Sequence, residues 1–437
     1  MAESELLRLQ RIAVDGLFGT YNHDIHLKLE DRVTLLHGPN GVGKTVVLGM
    51  VDALLRRRLG YIRGIPFSRF FLEFRDGSTV EVTATGEEPG GGYKLRLFTQ
   101  GRPHSASLDE LSPAGRIAAK IDYLRPHPGT ADAWIDMRDD LVLDASEVVS
   151  RYSEGDTDGE QTIWFDKFLG HARAHFIEAQ RLVRTDLSAF SRFGYRRSLR
   201  REPPIFAVDE CSEHFRRRIA DKMVQYGRES QALDQSFPQR LISATDELAV
   251  DELKERMSEL DRKTEELKRI GVLDETPTHP FPVDKLGDMD TARIRVMTLY
   301  IQDTERKLQV LEDLARRVHV LLDNVNQKYR HKRIALDREH GFVARSGMGQ
   351  DLALRALSSG EQQELVLHYD LLFRVRSNTI VLVDEPELSL HVAWQKRFLP
   401  DLLKIVELSN FDVLVATHSP YVVGDRDDLM VALGDPA

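Results

Sequence analysis

The 437-residue chain holds a single cysteine, Cys211. One thiol cannot close an internal disulfide or build a cysteine-ligated zinc or iron–sulfur centre, and such sparse use fits a reducing compartment. Cys211 itself reads most simply as a small buried or half-buried residue. Also missing is any apolar run near the roughly 20 residues that span a bilayer, and the opening MAESELLRLQ has neither the basic nor the apolar region of a signal peptide. No membrane association is expected, and the expected location is the cytoplasm. Nor is there a surplus of positive charge. The formal net charge of -10 argues against wholesale coating of nucleic acid and leaves room only for a regional basic face. What is present, 41% hydrophobic and 30% charged residues, suits a globular chain of two or three domains.

From Leu7 to Leu36 the sequence reads as short strands broken by DGLFGTYNHD, and the buried run RVTLLH feeds a glycine-rich loop. The following KTVVLGMVDALLRRRLG has helical periodicity. Its expected end is Gly60, with Arg56 to Arg58 exposed and compensating the helix dipole. RFFLEF, STVEVTATG and YKLRLFT predict an antiparallel meander beside the main sheet. Between about Asp246 and Leu336 the texture becomes long charged helix. Leu253, Met257, Leu260, Thr264 and Leu267 form one apolar stripe. Ile294, Met297, Ile301, Thr304, Leu308, Leu311, Ala315, Val318, Leu322 and Val325 form a second. The proline-rich DETPTHPFPVDKLGD between them predicts an antiparallel helical hairpin with arms on the order of 30 to 40 residues, about 45 to 60 Å. It either protrudes as a short coiled coil or packs on a globular body.

GPNGVGKT, Gly38 to Thr45, follows an apolar strand and opens a helix. Gly38, Gly41 and Gly43, with Pro39, Asn40 and Val42 between them, let the backbone curl its N–H groups around a polyphosphate. Lys44 then supplies charge to the phosphates, and the Thr45 hydroxyl can ligate Mg²⁺. In TIVLVDEPE, the apolar run Ile380 to Val383 would carry Asp384 on a buried strand to complete the Mg²⁺ shell. The adjacent Glu385 is the candidate base for an attacking water. VLVATHSP offers His418 at the end of another strand, either as a phosphate sensor or as a structural hydrogen bonder. LSSGEQQELVLHYDLL starts polar and continues as an amphipathic helix, with Leu365, Tyr369 and Leu372 at helical spacing. Its first residues, Ser358, Ser359 and Gly360, form a helix N-terminus able to face an anion. Because the chain's own loop already cradles its nucleotide, this second terminus is most simply explained as closing over nucleotide held by another copy.

In that order, GPNGVGKT, LSSGEQ, VLVDEPE and ATHSP resemble the Walker A, signature, Walker B and switch-histidine motifs of ABC-type ATPases, in the branch of SMC, RecF and OLD-like proteins. The resemblance implies an α/β P-loop head built from both ends of the chain, carrying a β-rich lobe and an inserted helical hairpin. Expected limits are 1–210 for the N-terminal lobe, 211–340 for the hairpin and 341–437 for the C-terminal lobe. It further implies ATP and Mg²⁺ as cofactors, with Lys44, Glu385 and His418 as catalytic residues and a head-to-tail homodimer or higher oligomer in which Ser358 and Gly360 meet the γ-phosphate on the partner's Lys44. HFIEAQRLVRTD resembles the segment in which a glutamine, here Gln180, senses Mg²⁺; a solvent-facing glutamine is the alternative. The signature departs from the common LSGGQ, and His391 stands where an aspartate is usual. These variants resemble OLD-like ATPases of anti-phage systems. With only eight residues after VVGDRDDL, a Toprim nuclease domain is not expected on this chain. A separate effector protein is, as in PARIS-like systems. Alternatives are a DNA repair or maintenance ATPase and an ATP-dependent scaffold that seldom turns over. Arg181, Arg184, Arg192, Arg196, Arg197, Arg200 and Arg201, interleaved with Phe190, Phe193 and Tyr195, suit nucleic acid, the less favoured reading, or an acidic protein surface.

Overall fold

The computed structural model describes residues 7–85, 92–99, 101–119, 121–127, 133–138, 141–152, 163–184, 205–274 and 290–433. The chain divides into two compact units, Met1–Pro204 with Arg374–Ala437, and Ile205–Phe373.

The first unit holds two large sheets. Strands β1 (Leu9–Leu17), β2 (Tyr21–His26), β4 (Arg69–Phe74), β5 (Thr79–Ala84), β6 (Tyr93–Thr99) and β7 (Arg102–Ser107) pair antiparallel in the order β2-β1-β4-β5-β6-β7. In β4 and β6 buried and less buried residues alternate, as one-sided burial of a sheet requires. The second sheet is wholly parallel. Its strands β3 (Val33–His37), β11 (Ala174–Ile177), β17 (Ile380–Asp384), β18 (Asp412–Thr417) and β19 (Met430–Ala432) run β11-β17-β18-β3-β19. All residues of β17 and β18 are buried, which is why they read as unbroken apolar runs. One core joins Ile12, Phe70, Val82 and Leu95 of the antiparallel sheet to Leu382 and Leu414 of the parallel one through Val47, Leu48 and Val51 of α1 (Lys44–Leu55).

α1 ends earlier than expected. Arg57 adopts φ 60°, and Gly60 lies inside the next short helix, α2 (Leu59–Arg63). The arginines do more than face solvent. Arg56 and Arg58 both pair with the fully buried Asp52, and Arg57 pairs with Asp166. A buried carboxylate needs such cations, and the left-handed turn at Arg57 ends the helix before the glycine is reached. A smaller lobe contains α3 (Leu108–Leu111), α4 (Pro113–Ala119), the sheet β8 (Leu124–Pro126), β9 (Ala133–Asp136), β10 (Leu141–Asp144) and α5 (Ala145–Tyr152). Trp134, Leu143 and Val148 form its separate core. α6 (Ile163–His171) and β12 (Val183–Arg184) lie in the same unit.

In the second unit, β13 (Ile205–Phe206) leads into α7 (Ala207–Ser243), followed by α8 (Val250–Arg269), α9 (Thr291–Asn326), the antiparallel sheet β14 (Lys332–Asp337), β15 (Gly341–Ser346), β16 (Asp351–Leu352), and α10 (Ser359–Tyr369). The two-helix hairpin is therefore corrected to three long helices. Arg240 of α7 is held by Asp303 of α9 at 2.5 and 2.7 Å, and Arg256 of α8 by Glu305 of α9 at 2.9 Å. The stripe of α8 is buried at Leu253, Met257, Leu260 and Leu267. On α9, Leu314 and Leu321 are buried in addition to the expected Ile301, Leu308, Leu311, Val318 and Val325. A helix with a neighbour on each of two sides needs a wider apolar face than a hairpin seam. Most of the connecting DETPTHPFPVDKLGD lies outside the described residues. Residues 341–373, grouped on sequence with the C-terminal lobe, belong to this unit. Phe215, Phe342, Tyr369 and Phe373 join α7, β15 and α10 through ring contacts at 4.6 to 6.2 Å. Cys211 is buried, as expected. Among the described residues no helix is long and apolar enough to cross a membrane.

Candidate functional site

The parallel sheet aligns the ends of three neighbouring strands. Thr417 of β18 is opposite His37 of β3, and Asp384 of β17 is opposite Ala416. The glycine loop, the DEPE segment and His418 therefore all leave the sheet from its carboxyl edge, the usual ligand side of an open α/β sheet.

In the loop, Gly43 has φ 94°, and a Cβ there would stand 2.5 Å from Leu17 Cδ2, so only glycine fits. Lys44 is buried, and its ammonium donates to the carbonyls of Gly38 at 2.7 Å and Pro39 at 3.0 Å. The Val42 carbonyl accepts from Nε2 of the buried His23 at 2.7 Å. That support from β2 has no local signal in the sequence. Thr45 and Asp384, 339 positions apart, meet: the threonine hydroxyl lies 3.0 and 3.1 Å from the two carboxylate oxygens. Burial pushes the Asp384 carboxyl above its ordinary range, against the bond from Thr45 and the charges of Lys44 and Arg181.

The next residue, Glu385, takes φ 43°, a left-handed conformation that non-glycine residues enter at a cost of ~1–2 kcal/mol. Its N–H donates to Ala416 O at 2.9 Å, and its carboxylate meets His418 Nδ1 directly. Burial, then the neighbouring Glu387, push its carboxyl upward, and His418 pulls it down. Glu387, to which the sequence reading gave no role, is buried. One of its oxygens accepts from the Thr417 hydroxyl at 2.6 Å and from the N–H groups of His418 and Ser419 at 2.9 and 3.0 Å.

Gln180 lies three residues past β11 and is exposed. The next residue, Arg181, is buried and donates to Pro386 O at 3.2 Å. This removes Arg181 from the expected basic surface: it packs beside DEPE. Of the remaining cluster, Arg192, Arg196, Arg197, Arg200 and Arg201, with Phe190, Phe193 and Tyr195, lie outside the described residues. His391 is the N-cap of α11 (Val392–Ser409), its Nδ1 accepting from Ala393 N–H at 3.2 Å. The last short helix, α12 (Pro420–Val423), is capped by Ser419.

The signature turn belongs to the second unit. Ser358 Oγ accepts the Glu361 N–H at 3.3 Å, while Glu361 accepts the Ser358 N–H at 2.6 Å and the Lys332 ammonium at 2.9 Å. This reciprocal box satisfies two backbone N–H groups at the start of α10. Ser358 and Ser359 are exposed, and Gly360 is buried. The expected amphipathic pattern of α10 is corrected: its residues from Gly360 to Tyr369 are buried except Gln362, because the helix packs against both α7 and α9, with its buried Glu364 paired to Lys328.

A hydroxyl poised on a buried carboxylate, beside a lysine folded into a glycine loop, is the donor set that a divalent cation and a triphosphate require. Together with the parallel sheet, it defines a P-loop ATPase domain. Residues 166–424, more than half of the chain, match the family described as "AAA domain, putative AbiEii toxin, Type IV TA system", and the protein belongs to that family. No curated protein matches the chain. Among solved structures, the chain is similar to the Smc head domain with an extended coiled coil bound to the C-terminal domain of ScpA from Pyrococcus furiosus, at 14% identity, covering 98% of this chain and 93% of that one with a TM-score of 0.32. It is also similar to the SMC head domain from Thermotoga maritima, at 12% identity, 96% and 92% coverage and a TM-score of 0.31.

Proposed function

We propose that the protein binds ATP with Mg²⁺, hydrolyses it slowly, and pairs head to tail with a second copy so that the turn Ser358, Ser359 and Gly360 of one closes over nucleotide held by the other. This cycle would control a separate effector, such as a Toprim-type nuclease, in anti-phage defence. The observation that carries the reading is the adjacency, at one sheet edge, of the Thr45–Asp384 pair and the Glu385–His418 pair.

Thr45 and Asp384, with Gln180 as the further candidate, would hold Mg²⁺. Bound there, the ion neutralises charge developing on phosphoryl oxygens. Lys44 would exchange its two carbonyl partners for phosphate oxygens. Glu385 accepts the proton of the attacking water, its rise above the ordinary carboxylate range suiting a base. His418 holds that carboxylate in place. The defence assignment draws support from the family description, which names a toxin and a toxin–antitoxin system. Steady-state phosphate release tests the chemistry. Glu385→Gln should lower it on the order of 10²- to 10⁴-fold; equal release from the variant and the native protein would refute the hydrolytic reading.

A further inference from the structure

The loop bearing His418 has no regular backbone ladder to hold it, yet it is tied at three points to a single atom. Glu387 Oε1 receives the side chain of Thr417 and two successive backbone N–H groups, those of His418 and Ser419. Ser419 is fixed a second time, its hydroxyl donating to Gln395 Oε1 of α11 at 2.8 Å. Glu387 and Glu385 leave the same tight turn, in which Leu388 N–H returns to Glu385 O at 3.2 Å and Leu390 N–H to Glu387 O at 3.0 Å. The same imidazole nitrogen that meets Glu385 lies 3.3 Å from Glu387 Oε1. Glu387 is 4% exposed, and its loss would leave the His418 N–H without its acceptor, whereas Ser419 N–H keeps Thr417 Oγ1 at 3.0 Å.

We propose that Glu387 is a positioning residue for hydrolysis. It fixes the backbone of His418, and so aims the ring at Glu385, without itself touching nucleotide or water. This rests on the ATPase reading above. Charge-assisted bonds from two consecutive N–H groups define where a residue sits more tightly than one side-chain contact could. The left-handed Glu385 backbone needs such external support, because an unsupported loop would relax to a commoner conformation. Glu387 thus couples the turn after β17, which carries Glu385, to the turn after β18, which carries His418.

The experiment compares Glu387→Ala, Glu387→Gln and His418→Ala, singly and with Glu387→Ala combined with His418→Ala, by steady-state ATPase kinetics. A parallel measurement follows the His418 ring resonance by NMR in the full chain. Glu387→Ala should lower kcat on the order of 100-fold while KM for ATP stays within about twofold, the pattern of lost alignment. Glu387→Gln keeps an acceptor oxygen and should recover part of the rate. In the His418→Ala background Glu387→Ala should add almost nothing, because both changes remove one function. Losses that multiply across the two sites, or a His418 resonance unmoved in both Glu387 variants, would overturn the proposal. If Glu387→Ala does not fold, Glu387→Gln carries the resonance measurement. If native protein shows no turnover, the ATPase reading fails, and the resonance alone decides whether Glu387 orients His418.

Discussion

Gly43 puts two demands on one position, a left-handed backbone and no side chain within reach of Leu17. Gly43→Ala should therefore lower the urea midpoint by an amount equivalent to on the order of 2 kcal/mol, and nucleotide affinity with it. An unchanged midpoint would mean that β1 and the loop yield more easily than the packing implies. Gly43, Lys44, Thr45, Asp384, Glu385 and His418 could all be read from sequence because each lies in a short contiguous pattern whose neighbours announce its element. His23, Arg181 and Glu387 could not. Their partners are the Val42 carbonyl 19 positions away, the Pro386 carbonyl 205 away, and two N–H groups more than 30 away, and no local spacing encodes such pairings. Arg181 looked like part of a basic patch for this reason: the sequence shows charge, but burial is decided by which strand β11 lies beside.

At the scale of elements, the N-terminus of α10 was legible because polar and small residues precede a run at helical spacing. The helix's burial was not, since it depends on packing against α7 and α9, far away in sequence. Both side chains of the Lys328–Glu364 pair are 1% exposed. Glu364→Gln should destabilise the protein by roughly 3–5 kcal/mol, because it removes the negative charge held against a buried ammonium. Replacing Lys328 by Met and Glu364 by Leu together should recover much of that loss in the same denaturation assay. A single variant as stable as the native protein would show that water reaches the pair. The cap makes a second prediction, in pH. Burial pushes the Glu361 carboxyl up, but Lys332 and Ser358 more than reverse this and leave it below its ordinary value. A depressed carboxyl adds stability that is complete above its unfolded pKa of about 4.3 and disappears as pH falls through the folded value. Ser358→Ala should cost about 1 kcal/mol at pH 7. Comparing urea midpoints, the gap between variant and native protein should shrink below about pH 4; a gap constant down to pH 3 would separate the cap from Glu361 ionisation.

For the whole molecule, the limits expected from sequence followed motif order, whereas the compact units follow packing. Residues 341–373 cluster with the helices because α10 shares its aromatic core with α7 and β15, although the sequence reading grouped its motif with the nucleotide loop. The proposed pairing of two copies can be tested where those facts meet. One helix N-terminus attracts an anion by only about 0.3–1 kcal/mol, so it cannot hold two molecules together unless a triphosphate gripped by Lys44 is shared between them. Association should then depend on nucleotide by simple linkage. In light scattering, the Glu385→Gln protein with ATP should double its mass, and without ATP it should not. Ser359 is exposed at the first helical position, where an acid favours the helix but repels a phosphate. Ser359→Glu in the Glu385→Gln background should therefore keep the fold and bind nucleotide as a monomer, while the ATP-dependent doubling disappears. A mass that doubles with ATP despite Ser359→Glu would mean that the copies meet through some other surface.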